Sequence, residues 1–205
     1  MHRITFIRHG ESAGNANGQI QGQSDLPLTK KGEKQALGIA QTWQKAGRSY
    51  DQIIASPLMR ARRTAEIISD TLGLPLSFDP IWAERGFGDI EGRLFDEIIR
   101  EEPSPDFNHP YLPPGGSGES IVDVFTRASQ ALQGLLRCPA GSYLIVSHGA
   151  LLNMVMYAVL GISPHNSPRS PRFIFSNTGY IDLTYNPDIH QWRIQRFWNN
   201  EDPIG

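Results

Sequence analysis

Tyr143-Leu144-Ile145-Val146-Ser147-His148-Gly149 is the stretch on which the reading of this 205-residue chain turns. Four near-continuous apolar residues, without alternation, describe a strand at the centre of a sheet that is covered on both faces. Ser147, His148 and Gly149 follow at its carboxyl end. Ala150 to Leu160 is then apolar almost all round, so it reads as a buried helix. A buried strand running into a buried helix belongs to an α/β architecture.

The same grammar extends outward. Residues 3–7 alternate and read as a first strand, followed by a polar loop from Gly10 to Pro27. Thr29 reads as the N-cap of a helix reaching about Ala46, with Ala36, Ala40 and Trp43 on one face. Ile53-Ile54-Ala55 is a short buried strand. Ser56-Pro57 predicts a helix start, with Ser as N-cap and Pro at the first helical position. Leu58, Ala61, Ala65, Ile68 and Leu72 make that helix amphipathic, and Gly73 ends it. A strand at 76–78 and a short helix near 94–101 follow, then a Pro/Gly-rich loop from Pro103 to Gly118. Ile121, Phe125, Ala128, Leu132 and Leu135 mark an amphipathic helix over Glu119–Leu136, entered through a Ser120/Asp123 capping box. Tyr180–Tyr185 and Trp192–Phe197 read as two hairpin-like strands. The sum is an α/β fold with a mostly parallel sheet, in a single domain over residues 1–205.

Composition removes several classes. With 19 Lys+Arg against 21 Asp+Glu the formal net charge is -2, which disfavours a general nucleic-acid binder. The apolar start, Ile4 to Ile7, is too short for a signal segment, and Ala150–Leu160 is too short to span a membrane. One cysteine, Cys138, cannot build a disulfide framework or a Cys-rich zinc site. It cannot be a phosphatase nucleophile either, because that chemistry wants an arginine six residues on and Leu144 stands there. His2, His109, His165 and His190 have no metal-ligand spacing. The expectation is a cytoplasmic protein without metal, cofactor, nucleic-acid partner or membrane.

Ligands of open α/β sheets bind at the carboxyl ends of the strands. Here those ends carry Arg8-His9-Gly10-Glu11, Arg60 in the first turn of a helix, and Ser147-His148-Gly149. Two helix N-termini point to the same edge and favour an anion. Arginine pairs match phosphate oxygens and stay charged. A neutral histidine can attack phosphorus, and a second can stabilise the transferring group. An alkoxide leaving group then needs a proton from a carboxyl group, and Glu84 and Glu91 are loop carboxylates available for that part. Asn15, Gln21 and the N–H groups near Gly149 complete the expected phosphate contacts.

These residues resemble the histidine phosphatase superfamily, the phosphoglycerate mutase-like family, over nearly the full chain. The first motif is Arg8-His9-Gly10-Glu11-Ser12 with Asn15, and Gln21-Gly22, Asp25, Leu28-Thr29 and Gly32 continue it. The second is Ser56-Pro57-Leu58 with Arg60-Ala61 and Thr64-Ala65. Glu84 with Gly88 and Glu91-Gly92 resembles the proton-donor motif, and Glu84 occupies the donor's place. Gly118-Glu119-Ser120 with Arg127, and Ser147-His148-Gly149, resemble the last two. Gly14 stands where the family often has Trp, a departure that touches loop packing. The resemblance implies a three-layer sandwich and a phosphohistidine formed at His9. The chain is too compact for the insertion of the mutase branch, so it resembles the small phosphatases for sugar-phosphate, phosphoglycerate and α-ribazole phosphate.

The leading expectation is a phosphatase that hydrolyses phosphate monoesters of small metabolites. A phosphoglycerate mutase using the same site is the first alternative. A catalytically idle module holding a phosphorylated ligand is the second. The loops 103–118 and 161–171 are candidates for framing the substrate, and oligomeric state is not readable from the sequence.

Overall fold

The computed structural model describes residues 1–101, 106–166 and 170–199. Parts of both candidate loops, 103–105 and 167–169, therefore lie outside the described residues, with residue 102. Strands β1 (His2–Arg8), β2 (Gln52–Ala55), β3 (Leu76–Phe78), β4 (Ser142–Ser147), β5 (Tyr180–Asn186) and β6 (Gln191–Trp198) form one sheet in the order β3-β2-β4-β1-β5-β6. The first four run parallel; β5 and β6 join antiparallel to β1.

Helices α2 (Lys30–Lys45) and α3 (Met59–Leu72) cover one face, and α5 (Ile121–Arg137) and α6 (Gly149–Leu160) the other; a short helix, α4 (Phe95–Glu101), lies between β3 and α5 in the chain. The alternation of β4 explains its apolar run. Tyr143 and Ile145 pack with Ile4 and Phe6 of β1 against α5 and α6, while Leu144 and Val146 pack with Ile7 and Ile53 against α2 and α3. Helix α6 is nearly all apolar because Leu151, Leu152, Val155, Met156 and Tyr157 are all buried. The three-layer, mostly parallel sandwich expected from the sequence is the fold. Among the described residues no helix is long and apolar enough to cross a membrane.

Local signals behave as expected at most ends. The Thr29 side chain caps α2, Gly73 closes α3 in the left-handed conformation (φ 67°), and Ser120 and Asp123 form a capping box on α5. Two expectations need correction. The Gly10–Pro27 loop contains a helical turn, α1 (Ala13–Ala16), capped by Ser12 and Asn15. Helix α3 begins at Met59, with Leu58 as an N-cap that makes no side-chain bond, not at Ser56-Pro57. Ser56 belongs to the sheet edge, and its hydroxyl has another partner.

Candidate active site

Three neighbouring parallel strands deliver the site. Arg8 pairs in register with Ser147, and Ala55 with Val146, so the residues that follow β2, β4 and β1 emerge side by side: Ser56, His148 and His9. The two imidazoles lie 5.1 Å apart between ring centroids, inclined at 60°. Both are buried, as is Ser56.

Hydrogen bonding fixes their tautomers. His9 Nδ1 lies 2.6 Å from the Gly10 carbonyl oxygen. A carbonyl only accepts, so Nδ1 carries the proton and Nε2 keeps its lone pair. His148 Nε2 lies 2.8 Å from Ser56 Oγ, which already accepts from the Leu58 N–H at 3.3 Å. Among the described residues the buried Ser56 hydroxyl has no other acceptor, so it donates to Nε2. His148 then bears its proton on Nδ1. Burial holds both rings well below the ordinary histidine pKa of 6.5; the Arg8 and Arg60 charges push His9 further, and the neighbouring His9, Arg60, Arg8 and Arg127 do so for His148. Both are neutral at physiological pH.

The arginines are braced by backbone. Arg60, 1% exposed, donates to the carbonyls of Ser24 (2.8 Å) and Gly22 (2.6 Å) through its two terminal nitrogens. Arg8 donates to the Phe175 carbonyl at 2.7 Å. Burial lowers both guanidinium pKa values, partly offset by the Glu84 carboxylate. Arg8 Nε, Arg60 Nε and His148 Nδ1 are buried donors without a partner among the described residues. Each such donor costs roughly 1–3 kcal/mol, so three at one sheet edge mark a place that takes an anion.

Glu84, the expected donor, and its rival Glu91 separate here. Glu84 lines the same cavity as Arg8, His9 and Arg60. Its carboxylate accepts from the N–H groups of Arg85 (2.8 Å), Leu151 (3.0 Å) and Ala150 (3.2 Å), at the N-terminus of α6. Glu91 accepts from the N–H groups of Gln23 and Phe87 and from the Ser24 hydroxyl, so it ties together the loops beside the site. Arg127 clamps the Glu84 segment. It donates to the carbonyls of Ile81, Ala83 and Glu84 and pairs with Glu119 at 2.7 Å; Glu119 also accepts from the Gly86 N–H.

Asn15, Gln21 and Gly149 line the cavity. The Gln21 side-chain oxygen accepts from Ser12 Oγ at 2.6 Å, and the Asn15 side-chain oxygen accepts from the Ser12 N–H at 3.2 Å and from Asn177 Nδ2 at 3.1 Å, which anchors each amide by its acceptor end. A Cβ on Gly14 would collide with the Gln21 side chain, so the glycine makes room for Gln21. Sequence reasoning missed Ser56, read as a helix cap, and the clamp of Arg127. Among the described residues no group of three or more His, Cys, Asp or Glu side chains is placed to hold a metal ion.

Residues 4–200 match the family model of the histidine phosphatase superfamily (branch 1). A probable phosphoglycerate mutase GpmB of Yersinia enterocolitica is 39% identical over 173 residues, covering 82% of this chain and 80% of that protein. Among solved structures, a mycobacterial glucosyl-3-phosphoglycerate phosphatase in complex with VO3 superposes with a TM-score of 0.82 at 26% identity, covering 97% of this chain and 99% of that one. Phosphoserine phosphatase of Entamoeba histolytica, in complex with 3-phosphoglyceric acid, does so with 0.81 at 27% identity and 98% of both chains.

Proposed function

The chain belongs to the histidine phosphatase superfamily, and from that premise we propose that it hydrolyses phosphate monoesters of small metabolites through a phosphohistidine, without metal or cofactor. The observation that carries the reading is the pairing of a free imidazole lone pair on His9 with three partnerless buried donors, on Arg8, Arg60 and His148.

The phosphoryl group sits among those donors, with the amides of Asn15 and Gln21 and the N–H of Gly149 beside it. His9 Nε2 attacks phosphorus, the P–O ester bond breaks, and Glu84 gives its proton to the leaving oxygen. A phosphoryl dianion beside a carboxyl group favours the protonated form by like-charge repulsion. The His9 Nδ1–H bond to Gly10 takes up part of the positive charge that the phosphorylated ring acquires. In the second half Glu84, now a carboxylate, removes a proton from water. The water oxygen attacks phosphorus, the N–P bond breaks, and orthophosphate leaves with His9 and Glu84 restored. Arg8, Arg60 and the His148 Nδ1–H stabilise the spread charge of both transfers.

The structural neighbours named as phosphatases support hydrolysis. The curated relatives' name supports a second reading, in which the phosphoryl group returns to a phosphoglycerate; the same residues would serve it. The test is His9→Ala on a generic phosphate ester, with acid-labile phosphoenzyme trapped from the unaltered protein. Undiminished turnover, or activity abolished by chelators, refutes the proposal. Incubation with 3-phosphoglycerate separates the two readings: free phosphate for hydrolysis, an isomer for mutase.

A further inference from the structure

The phosphoryl end occupies only one wall of the cavity, which measures about 660 Å³. That is the size of a pocket for a drug-sized ligand, not for a phosphate group alone. Besides the polar Gln19, Asn108 and Asn153, its lining carries a large apolar, mostly aromatic set: Phe95, Phe107, Ile121, Met154, Tyr157 and Phe173.

These side chains are fixed in place. Phe95, 48% exposed on the short helix Phe95–Glu101, stacks on Phe107 with centroids 5.9 Å apart and planes at 29°. The Phe107 carbonyl accepts from Arg85 Nη1 at 2.7 Å. Also on the lining, the Phe173 N–H donates to Asn153 Oδ1 at 2.8 Å, and its ring meets Tyr157 edge-on at 6.4 Å. Large apolar side chains whose backbone is held by part-buried polar bonds around open space make a preformed receptor for apolar surface.

Beyond the phosphoryl contacts the charged side chains on the lining are Arg85 and Arg172. Arg172 is exposed, where a pair with a carboxylate gains little. Arg85 spends Nε and Nη1 on the carbonyls of Glu119 and Phe107, leaving Nη2 buried without a partner among the described residues. One donor suits a single acceptor atom, not the two-pronged grip an arginine takes on a carboxylate.

We propose, resting on the hydrolase reading above, that this wall is a subsite for a bulky hydrophobic or aromatic alcohol group. The preferred substrates are phosphate monoesters of such alcohols, rather than of a three-carbon acid. The substrate's phosphate docks at His9, and its apolar part lies between the Phe95–Phe107 pair and Phe173.

The test compares 3-phenylpropyl phosphate with propyl phosphate, whose leaving alcohols have similar acidity, and with 3-phosphoglycerate. A buried methylene multiplies affinity about fourfold, so the phenyl group raises kcat/KM at least about tenfold, mainly through KM. The double variant Phe95→Ala/Phe107→Ala lowers that ratio toward one. Its propyl phosphate turnover and circular dichroism report whether it is folded. Equal efficiency on the phenylpropyl and propyl esters, or a clear preference for 3-phosphoglycerate, overturns this inference alone. No phosphate released from any of the three overturns the hydrolase reading and this inference with it.

Discussion

Ser56→Ala removes one hydroxyl and tests how His148 is set. In the native protein the buried Ser56 O–H donates to His148 Nε2 at 2.8 Å, which places the ring proton on Nδ1, where it has no partner until an anion arrives. Without the hydroxyl, Nε2 is a buried acceptor with no donor, an expense of roughly 1–3 kcal/mol. For a chain of this size that lowers Tm by roughly 2–4 °C per kcal/mol. The ring also loses the bias toward its Nδ1–H form. Full loss of one donor to the transition state costs about 10²–10³ in rate, so a partial shift of tautomer costs about 10–100-fold. The assay is single-turnover formation of phosphohistidine well below Tm, with the ¹⁵N spectrum of His148 as a direct reading of its tautomer. A purely structural role for Ser56 lowers Tm and leaves the rate alone. An Nε2–H signal in the native protein, or an unchanged rate in the variant, refutes the reasoning.

Acid should destabilise the fold through the two histidines. Both are held neutral in the folded state, well below 6.5, while the unfolded chain protonates them below about that pH. Stability is therefore complete above 6.5 and falls as pH drops, by up to about 1.4 kcal/mol per pH unit for each ring. Urea melts at about pH 7 and about pH 5.5 measure it, and His148→Gln should reduce the slope by close to one proton; an unaltered slope rejects this account. Gly32→Ala places a methyl group against the Glu11 carbonyl and should cost about 3 kcal/mol or more, read as a lower Tm. A native-like Tm would show that α2 can move off the motif loop. Arg127→Gln releases the three carbonyls around Glu84. Phosphoenzyme formation should slow about tenfold more with an alkyl ester, which needs a proton on its leaving oxygen, than with 4-nitrophenyl phosphate, which does not. Equal slowing would assign Arg127 to general packing.

The fold was legible where burial writes a local pattern. β4 and α6 are read correctly because a strand covered on both faces and a helix buried all round leave little room for polar residues. The turn at Ala13–Ala16 was hidden, since Gly14 is a poor helix former and its capping pair is Ser with Asn, without the usual acidic residue. Ser56 shows a different limit. Ser-Pro spells a helix start whether or not the hydroxyl caps it, and the partner that claims this hydroxyl lies 92 residues away. Glu84 and Glu91 share one loop and one charge. The motif resemblance already favoured Glu84; the physical difference lies in what the carboxylates touch, the α6 N-terminus for one and the Gln23 and Phe87 N–H groups for the other. The aromatic wall was beyond reach for the same reason: Phe107 and Phe173 sit in irregular segments without periodicity, and meet only through tertiary folding.

The sheet order also sets when the site can assemble. His9 follows β1 directly, yet β1 lies between β4 and β5, and Arg8 is braced by the carbonyl of Phe175, 167 residues later. A chain folded only as far as α5 holds His9 without the strand that carries His148 and without the brace on Arg8. The two imidazoles and the Arg8 guanidinium therefore come into register only when segments more than 130 residues apart in sequence have joined one sheet, so the site reports on long-range pairing rather than on any local element.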